Sequence, residues 1–570
     1  MSKVVTQAKE QLKKIIDDAF AAAIGAGELP DAAVPAYTLE RPSDRSHGDW
    51  ATNAAMAGAR NFHSAPRKIA EAVTSRMNLE GTYFEKFEIA GPGFINFFLS
   101  PTFYADVLKD VNTLGADYGK SDFGKGQRVL VEFVSANPTG PMHIGNARGG
   151  AIGDCLASVL EEAGYQVDRE FYVNDAGNQV AKFGLSLDMR YKQLYDPEGG
   201  EPSPDDTYLP EDSYHGWDII EHARNFAAIH GDKYLSVPED ERRQALIDYA
   251  LPLNIEGLER DLRKYRIVYD NWFRESSVHK SGDVDKVINT LTEKGYTYEQ
   301  DGAVWFKATQ FGNEKDIVLR RENGFPTYIV PDIAYHYDKL VTRGYDKAIN
   351  IWGADHHGYV PRLKGALEAY GADPSKLDII LMQMVRILID GQPVKQSKRS
   401  GKAITLNTLL DEVPIDAARF FFNLREANSM FDFDYDLAVS ESSANPVYYV
   451  QYAHARICSI LRTLEEDGIH AENCTEEQLA LLTAPEEIEL IDAIAAFTDE
   501  VIAAAKEYDP SRITKYVVNV ATLFHKFYNA CRVRVDDENL MQARLYLCSA
   551  ARTVIRNILE MFKISVPEKM

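Results

Sequence analysis

The chain has 570 residues, of which 45% are hydrophobic, 11% aromatic and 26% charged, and its net charge is −24. This length exceeds what one hydrophobic core supports, so we expect two to four domains, and the composition is that of a globular protein. The sequence has no run of about 18 apolar residues, no apolar signal core and no C-x-x-C pair among its five cysteines, which argues against a membrane span, a secreted disulfide scaffold and a structural zinc site and favours a reducing cytoplasm.

The N-terminal residues predict a small unit of mixed structure. Residues 1–25 indicate an amphipathic helix, because apolar residues recur on one side of it at helical spacing. The residues on that side are Val4, Val5, Ala8, Leu12, Ile15, Ile16 and Ala19. Residues 36–100 mix strand and helix patterns, and residues 115–126 indicate a linker.

Residues 128–154 predict a strand, a tight turn and a helix in succession. Residues 128–134 have the apolar, β-branched pattern of a strand, and Pro138 and Pro141 exclude both a sheet ladder and a helix from the turn. The helix that starts near His143 would direct free N–H groups at an anion, and Gly145 would let a nucleotide approach the backbone. An ordinary strand-to-helix crossover with a proline-rich loop is the alternative.

Further strands and helices alternate after this stretch. Residues 166–173 predict a strand, and the turn at 174–179 starts another helix. Such repetition predicts a doubly wound parallel sheet, which binds ligands at the C-terminal ends of its strands. Residues 191–216 are acidic and rich in Pro and Gly, which predicts an exposed loop, and helices are expected from there to about residue 265.

The sheet is predicted to resume near Ile267. Strands are expected within residues 302–308, 316–321 and 346–353, and a strand pair within 378–388. Between them, Tyr328 and Asp332 are four residues apart and would share one face of a helix.

A basic loop follows the last of these strands. Residues 395–402 contain four cations in eight positions, which need either an anion or open solvent. A solvated surface loop is the alternative to a phosphate site. The loop lies about 250 residues after the turn at His143, and the two features together are far more specific than either one.

From about residue 436 the sequence is almost entirely helical. Asn445 and Pro446 introduce an amphipathic helix that carries Tyr448, Tyr452 and Arg456. Aromatic and cationic side chains in combination suit stacking on unpaired bases. A tyrosine-rich core helix is the alternative. Residues 511–570 also carry ten Lys or Arg and five Asp or Glu, which fits either RNA contact or solvated helix faces.

These motifs resemble those of the class I aminoacyl-tRNA synthetases. Residues 143–146 resemble the H-I-G-H signature, with Asn146 in place of the second His, and residues 395–399 resemble K-M-S-K-S, with Gln396 for Met and Arg399 for the last Ser. The frame Glu-Phe-x-Ser-x-Asn-Pro-Thr-Gly-Pro-x-His-x-Gly is similar to that of the arginyl members. The strings at 47–53, 91–96, 174–179 and 445–456 also resemble the arginyl family, so the resemblance covers nearly the whole chain.

The resemblance implies three domains. Residues 1–112 would form an α+β domain that contacts tRNA, and residues 113–435 a Rossmann-like catalytic domain with a doubly wound parallel sheet and an insertion at about 186–265. Residues 436–570 would form an all-helical anticodon-binding domain. The insertion is short and shows nothing like a separate editing domain.

The resemblance also implies the site residues. His143, Lys395 and Lys398 would be catalytic, and the ATP site would add Gly145, Asn146 and Ser397 to them. Arginine would be bound by a larger group: Glu132, Ser135, Asn137, His143, Tyr328, Asp332 and His356. Asn53, Tyr448, Tyr452 and Arg456 would contact tRNA, although Asn53 could instead cap a helix. A selective site for a guanidinium needs carboxylates in fork geometry, which Glu132 and Asp332 could supply.

The expected reaction is a two-step ligation of L-arginine to tRNA(Arg) with ATP as a substrate. Mg²⁺ is expected to be carried by ATP, with no metal site on the protein. We expect a cytoplasmic monomer with no membrane or DNA partner. The alternatives are another class I synthetase, a nucleotidyltransferase of the same fold, and a non-catalytic RNA-binding relative.

Overall fold

The computed structural model describes residues 3–42, 44–394, 404–471 and 473–570. The N-terminal region packs four helices with an antiparallel sheet in the strand order β1-β2-β4-β3. Its elements are α1 (Lys3–Gly25), β1 (Leu39–Glu40), β2 (Trp50–Thr52), α2 (Ala54–Gly58), α3 (Pro66–Thr74), β3 (Phe84–Ala90), β4 (Phe94–Leu99) and α4 (Pro101–Leu114). All seven apolar residues predicted on one side of α1 are buried, which confirms the amphipathic helix.

A five-stranded parallel sheet forms the centre of the molecule, in the order β12-β11-β5-β6-β7. Its strands are β5 (Arg128–Glu132), β6 (Gln166–Val173), β7 (Asn271–Arg274), β11 (Lys347–Gly353) and β12 (Leu377–Met382). The strand order reverses beside β5, the first strand, so the loop after β5 lies where open parallel sheets bind ligands. The predicted doubly wound sheet is confirmed.

Helices connect and cover these strands. They are α5 (Ile144–Glu162), α6 (Gly177–Gln193), α7 (Trp217–His230), α8 (Glu239–Lys264), α9 (Glu275–Lys280), α10 (Asp283–Glu293), α11 (Ile329–Tyr337) and α12 (Val360–Tyr370). No helix or strand lies in residues 194–216, as their Pro and Gly content predicts, and α7 and α8 pack against α6. A π-helical turn at Asp338–Thr342 follows α11 directly.

Two of the predicted strands belong to a different sheet. The segments near 304 and 318 are strands, but with β8 (Thr297–Gln300) they form an antiparallel sheet in the order β10-β9-β8, where β9 is Ala303–Phe306 and β10 is Ile317–Arg320. Only Asp301 and Gly302 connect β8 to β9, both with positive φ (51° and 73°), and a turn this short forces an antiparallel hairpin. Our expectation that these strands extend the central sheet was wrong.

The predicted strand pair at 378–388 is also divided between sheets. Its second strand, β13 (Val385–Ile389), pairs with β14 (Gln392–Pro393) and with β15 (Phe431–Asp434), not with β12. Three short helices lie near this sheet in the sequence: α13 (Leu406–Glu412), α14 (Ile415–Phe422) and α15 (Tyr435–Val439). Of these, α14 and α15 contact the sheet, and α13 contacts α5.

The C-terminal region is helical. Its helices are α16 (Pro446–Glu466), α17 (Glu476–Leu479), α18 (Pro485–Ala495), α19 (Phe497–Glu507), α20 (Ser511–Ala530) and α21 (Glu538–Met561). Helix α21 packs against α4 and α5, so its apolar face joins one hydrophobic core that extends from α1 to the C-terminus. Within the described residues, every helix is too short or too polar to cross a bilayer.

Candidate active site

The loop after β5 begins with two strained residues. Val134 and Ser135 have φ values of 69° and 40°, a left-handed conformation that β-branched side chains rarely adopt. Two hydrogen bonds hold this turn: the Ser135 hydroxyl donates to Glu132 (3.0 Å) and accepts from the Tyr172 backbone N–H (3.2 Å). Strain of this kind persists only where its surroundings impose it, and it occurs preferentially at functional sites.

The N-terminus of α5 is capped by its own signature residues. His143 is the N-cap, and its Nδ1 accepts a hydrogen bond from the Gly145 N–H (3.1 Å). The Asn146 Oδ1 accepts in turn from the His143 N–H (3.1 Å), which completes a capping box. The amide that replaces the usual second His therefore has a structural use, since its oxygen satisfies a backbone donor.

A second chain segment pairs with this helix start. The Ile144 N–H donates to the Ile404 carbonyl (3.3 Å), and the Leu406 N–H donates to the Met142 carbonyl (2.8 Å). Ile404 is the first described residue after the predicted basic loop. Lys395, Ser397 and Lys398 themselves lie outside the described residues.

An acidic cleft of about 650 Å³ opens at the C-terminal edge of the central sheet. Its walls come from the ends of β6 and β7, from α11 and from the segment before α12. Residues that line it include Tyr172, Asn174, Glu275, Tyr328, Asp332, His356 and Tyr359. Tyr328, Asp332 and His356, predicted from sequence for one site, therefore border one cavity.

Asp332 is the central acid of this cleft. It is partly buried in the first turn of α11, and the Tyr359 hydroxyl donates a hydrogen bond to its carboxylate. Burial, together with the negative charges of Glu275 and Glu132, raises the pKa of Asp332 to about 7. A cation placed beside Asp332 would reverse that effect.

Glu275 is a second acid in the cleft, and the sequence analysis missed it. Burial raises the pKa of its carboxyl as well. The Asn174 amide, oriented with its nitrogen towards acceptors, donates to Glu275 (2.9 Å) and lies 3.3 Å from the amide of Asn137. The signal available in the sequence was position, because Glu275 immediately follows strand β7 at the ligand-binding edge of the sheet.

Glu132 lies behind the cleft, not in its wall. The side chain is 6% exposed and forms an ion pair with the fully buried Lys339. The Tyr335 hydroxyl lies 3.1 Å from Glu132 and 2.6 Å from the neighbouring Glu170, and Glu170 is paired with Arg343.

The four acids of this region are therefore of two kinds. Glu132 and Glu170 are paired with Lys339 and Arg343. Among the described residues, neither Asp332 nor Glu275 has a lysine or arginine partner, and Glu275 lies 3.4 Å from the ring of His279. His336 supplies no charge, because burial holds its pKa well below the ordinary value. The cleft thus carries three carboxyl groups, those of Asp332, Glu275 and Asp355, and one guanidinium, that of Arg362. Its excess of acids beside tyrosine rings suits a cationic ligand.

The residues expected to contact RNA lie far from the cleft in sequence. Tyr452 is 38% exposed on α16, its ring stacks on His525 and its hydroxyl accepts from Arg456 (3.1 Å), while the Arg456 guanidinium lies 4.2 Å from the centre of the Tyr528 ring. Tyr448 is partly exposed on the same helix. Asn53 occupies the N-cap position of α2 without capping it, because its Oδ1 accepts from the Thr38 N–H (2.9 Å).

Family models cover the chain in three parts. The model described as "tRNA synthetases class I (R), catalytic domain" matches residues 111–459, and "Arginyl tRNA synthetase N terminal domain" matches residues 7–99. The model "DALR anticodon binding domain" matches residues 450–570.

Relatives match over the full length. The chain is 55% identical to an arginine–tRNA ligase of Caldanaerobacter subterraneus and 50% identical to one of Acetivibrio thermocellus, each over 570 residues and 100% of both chains. The fold is similar to that of a Thermus thermophilus arginyl-tRNA synthetase, with a TM-score of 0.73, 22% identity, and coverage of 98% of this chain and 100% of the other.

Proposed function

The chain belongs to the arginine–tRNA ligases, a family of class I aminoacyl-tRNA synthetases, and from that premise we propose how its residues bind and activate arginine. In the first step the arginine carboxylate attacks the α-phosphorus of ATP, which gives arginyl-adenylate and pyrophosphate. In the second step the 3′-terminal ribose hydroxyl of tRNA(Arg) takes the arginyl group and AMP leaves. Both steps depend on the positioning of the reactants and on charge stabilisation.

We infer that the guanidinium of arginine binds between Asp332 and Glu275. The observation that carries this inference is that both acids border the cleft and that, within the described residues, neither has a lysine or arginine partner. A guanidinium offers five donors in a planar fork and keeps its charge, so it pairs well with two carboxylates. Tyr328 and His356 form the walls of this pocket.

The α-ammonium of arginine is assigned to the opposite side of the cleft. With the guanidinium held at Asp332, the acceptors that remain in the turn after β5 belong to Ser135 and Asn137, and Glu132 contributes from behind the cleft by orienting Ser135. The contact between the Asn137 and Asn174 amides supports this arrangement, since Asn174 lines the cleft. His143 follows on the same turn and is proposed to face the carboxylate and the α-phosphate.

ATP is proposed to bind at the N-terminus of α5, against Gly145 and Asn146. The helix terminus favours negative charge there. Lys395, Ser397 and Lys398 are proposed from sequence alone to contact the β- and γ-phosphates. The described residues contain no group of three or more His, Cys, Asp or Glu suited to a metal ion. Mg²⁺ is proposed to be bound by the phosphates of ATP and by water. The roles proposed for the protein side chains do not depend on Mg²⁺.

The tRNA is proposed to contact both ends of the chain. Tyr452 and Arg456, with Tyr448 beside them, offer stacking surfaces and positive charge, and Asn53 offers an amide in the N-terminal region. Several expectations stay predictions. They are the domain boundaries 1–112, 113–435 and 436–570, the insertion at 186–265, the monomeric state, the cytoplasmic location and the absence of DNA and membrane partners.

The arginine site is tested with Asp332→Asn. The amide keeps the shape of the side chain but leaves the guanidinium without one charged partner, a loss of about 2–4 kcal/mol. The arginine KM should therefore rise roughly thirtyfold to several hundredfold, while the ATP KM changes less than about threefold. Glu275→Gln should act in the same direction. The measurement is aminoacylation kinetics at saturating tRNA.

Asp355→Asn is the matched control. Asp355 also borders the cleft, but its side chain is 85% exposed, so screening by water should keep the arginine KM within about threefold. Arginine KM values that rise equally in both variants would assign the effect to general charge. An unchanged arginine KM in Asp332→Asn, with a lowered thermal midpoint, would make Asp332 a structural residue.

A further inference from the structure

Lys339 is an unusual residue for its surroundings. Its side chain is completely buried, and it lies in the π-helical turn that continues α11, the helix of Asp332. Its Nζ forms the ion pair with Glu132, donates to Asn350 Oδ1 (3.2 Å), and lies 4.0 Å from the centre of the Tyr335 ring. Buried lysines are rare because removal of the charge from water is costly, and π-helical turns occur often at functional sites.

The partners of Lys339 connect it to the strained turn. One oxygen of Glu132 faces Lys339, and the other accepts from the hydroxyl of Ser135. Ser135 is the residue with a φ of 40°, and two residues later the chain reaches Asn137. A contact chain therefore runs from Lys339 through Glu132 to the loop that precedes His143.

Lys339 also decides how charge is distributed in the cleft. Without it, Glu132 would join Asp332 and Glu275 as a third acid that has no lysine partner in the same poorly hydrated region. It would then compete for the positive charge of the ligand or reorient away from Ser135. With Lys339 present, Asp332 and Glu275 are left to bind the guanidinium, and Glu132 keeps one orientation.

We propose that Lys339 is a positioning residue for arginine binding, which holds Glu132 against Ser135 and thereby fixes the turn that leads to Asn137. This inference rests on the proposed arginine site. Lys339 itself is buried behind Glu132 and does not touch the substrate.

The test is a double-mutant cycle. Lys339→Met should lower kcat/KM for arginine about a hundredfold, mainly through KM, with the ATP KM within about threefold. Glu132→Gln should give a loss of similar size. The double variant Glu132→Gln/Lys339→Met should be no worse than Glu132→Gln alone, because Lys339 acts through Glu132. The double variant also leaves no unpaired buried charge, so it keeps the test usable if Lys339→Met alone fails to fold.

The neighbouring pair Glu170 and Arg343 provides the matched control. Glu170 is fully buried and Arg343 is 24% exposed. The Tyr335 hydroxyl links Glu170 to Glu132, but in the described part of the chain no hydrogen bond joins the Glu170 or Arg343 side chain to Ser135. Glu170→Gln/Arg343→Met should lower the thermal midpoint at least as much as the first double variant, yet keep the arginine KM within about threefold. A lowered thermal midpoint with an unchanged arginine KM in this control would show that the effect of Lys339 on arginine binding does not come from a general loss of stability.

Three results would overturn the proposal. They are losses that multiply in the Glu132→Gln/Lys339→Met variant, an arginine KM unchanged by Lys339→Met, and an equal loss of arginine kcat/KM in the Glu170→Gln/Arg343→Met control. If Asp332→Asn raises the arginine KM while Lys339→Met does not, only the role of Lys339 fails. If neither variant changes the arginine KM, the proposed arginine site fails as well.

Discussion

At the scale of single residues, the surroundings of Asp332 favour a cation, in agreement with its proposed role in arginine binding. Its neighbours Glu275 and Glu132 are acids, and water has limited access to it, so its negative charge is costly in the ligand-free protein. The hydrogen bond from Tyr359 offsets only part of this cost, because the pKa still rises to about 7. A guanidinium would offset the remaining free-energy cost of the negative charge. The burial of Asp332 therefore favours a ligand with a positive side chain over a neutral one.

The first prediction concerns pH. Burial and nearby acids raise the pKa of Asp332 to about 7, and the proposed pairing with arginine requires its carboxylate form. The arginine KM should therefore rise as the pH falls below 7, by about tenfold per pH unit. The ATP KM should change much less. Arginine and ATP KM measured between pH 6 and 8 check this. Asp332→Asn should have a higher but flatter arginine KM profile, and an equally steep profile in that variant would assign the titration to another group.

The same shift has an opposite sign for stability. The folded-state pKa of Asp332 lies above its ordinary value of 3.8, so between these values the folded protein binds more protons than the unfolded chain. The contribution of this group to stability is therefore fully present below about pH 3.8 and is lost as the pH rises through 7. Asp332→Asn should remove that loss and keep or raise the thermal midpoint at pH 7.5.

At the scale of elements, helix α5 combines a structural and a proposed binding role. In the capping box, the His143 ring accepts from the Gly145 N–H and the Asn146 side chain accepts from the His143 N–H. The helix end keeps its positive potential. The pairing of residues 142–144 with 404–406 fixes this helix end to the segment after the basic loop. A substitution that keeps the capping hydrogen bond but adds a negative charge should distinguish the capping role of this helix end from its proposed phosphate-binding role.

The second prediction is that Asn146→Asp separates these roles. An aspartate can still accept the His143 N–H, and its charge favours a helix N-terminus, so the thermal midpoint should stay the same or rise. The added negative charge would repel phosphates, and the ATP KM should rise about tenfold or more. Steady-state adenylation kinetics and a thermal melt provide both readouts.

Thr475→Asp is the control for Asn146→Asp. Thr475 caps α17 with the same kind of capping box and lies on the surface of the C-terminal region. The variant adds one charge at a helix start without changing the α5 terminus, so the ATP KM should not change. An ATP KM unaffected by Asn146→Asp would place the phosphates away from α5.

At the scale of the whole molecule, the helical C-terminal region is not a loosely attached part. Asp154 of α5 is completely buried and pairs with Arg169 of β6, Arg419 of α14 and Lys563 after α21. Burial alone would raise the pKa of Asp154, but the charges of Arg419, Lys563 and Arg169 outweigh it and hold the pKa below its ordinary value. One carboxylate therefore joins the signature helix to the end of the chain.

The third prediction concerns this junction. Asp154→Asn should lower the free energy of unfolding by about 3–5 kcal/mol, because Arg419 would be left buried without its carboxylate partner and Arg169 would keep only Glu161. Addition of Lys563→Met should recover part of that loss, since it removes one uncompensated cation. Urea unfolding of the single and double variants measures both. Lys569→Met, an exposed position in the C-terminal tail, serves as the control and should recover nothing.

Unfolding should also remain a single transition in these variants. The region around α5 and the C-terminal helices share one hydrophobic core, which extends from α1 to α21 and supports both, whereas α10, α11 and α12 pack in a separate cluster. Separate transitions for the nucleotide-binding and helical regions, followed by intrinsic fluorescence and circular dichroism, would contradict this view. For the same reason, a chain that ends before residue 440 should not retain a stably folded catalytic region.

The sequence by itself determined the features that depend on neighbouring residues. The apolar, β-branched residues that begin at 128 predicted strand β5, and the next strand pattern predicted β6. Helical spacing predicted the buried face of α1, and the frame around Asn137 and His143 indicated the family. These signals are local: a helix buries residues at a spacing of three to four, and a strand covered on both faces, such as β5, is a short apolar run.

Only the tertiary structure decided which distant side chains meet. Glu132 and Lys339 are 207 residues apart, and their pairing depends on the order of β5, β6 and β11 and on the π-helical turn after α11. Glu275 joins Asp332 because β7 lies at one edge of that sheet, and β8–β10 leave the sheet because of a two-residue turn. No periodicity in the sequence encodes such contacts, since they arise from the geometry between elements. Local patterns determined the helices, the strands and the family, whereas the packing of the elements determined the charge of the cleft.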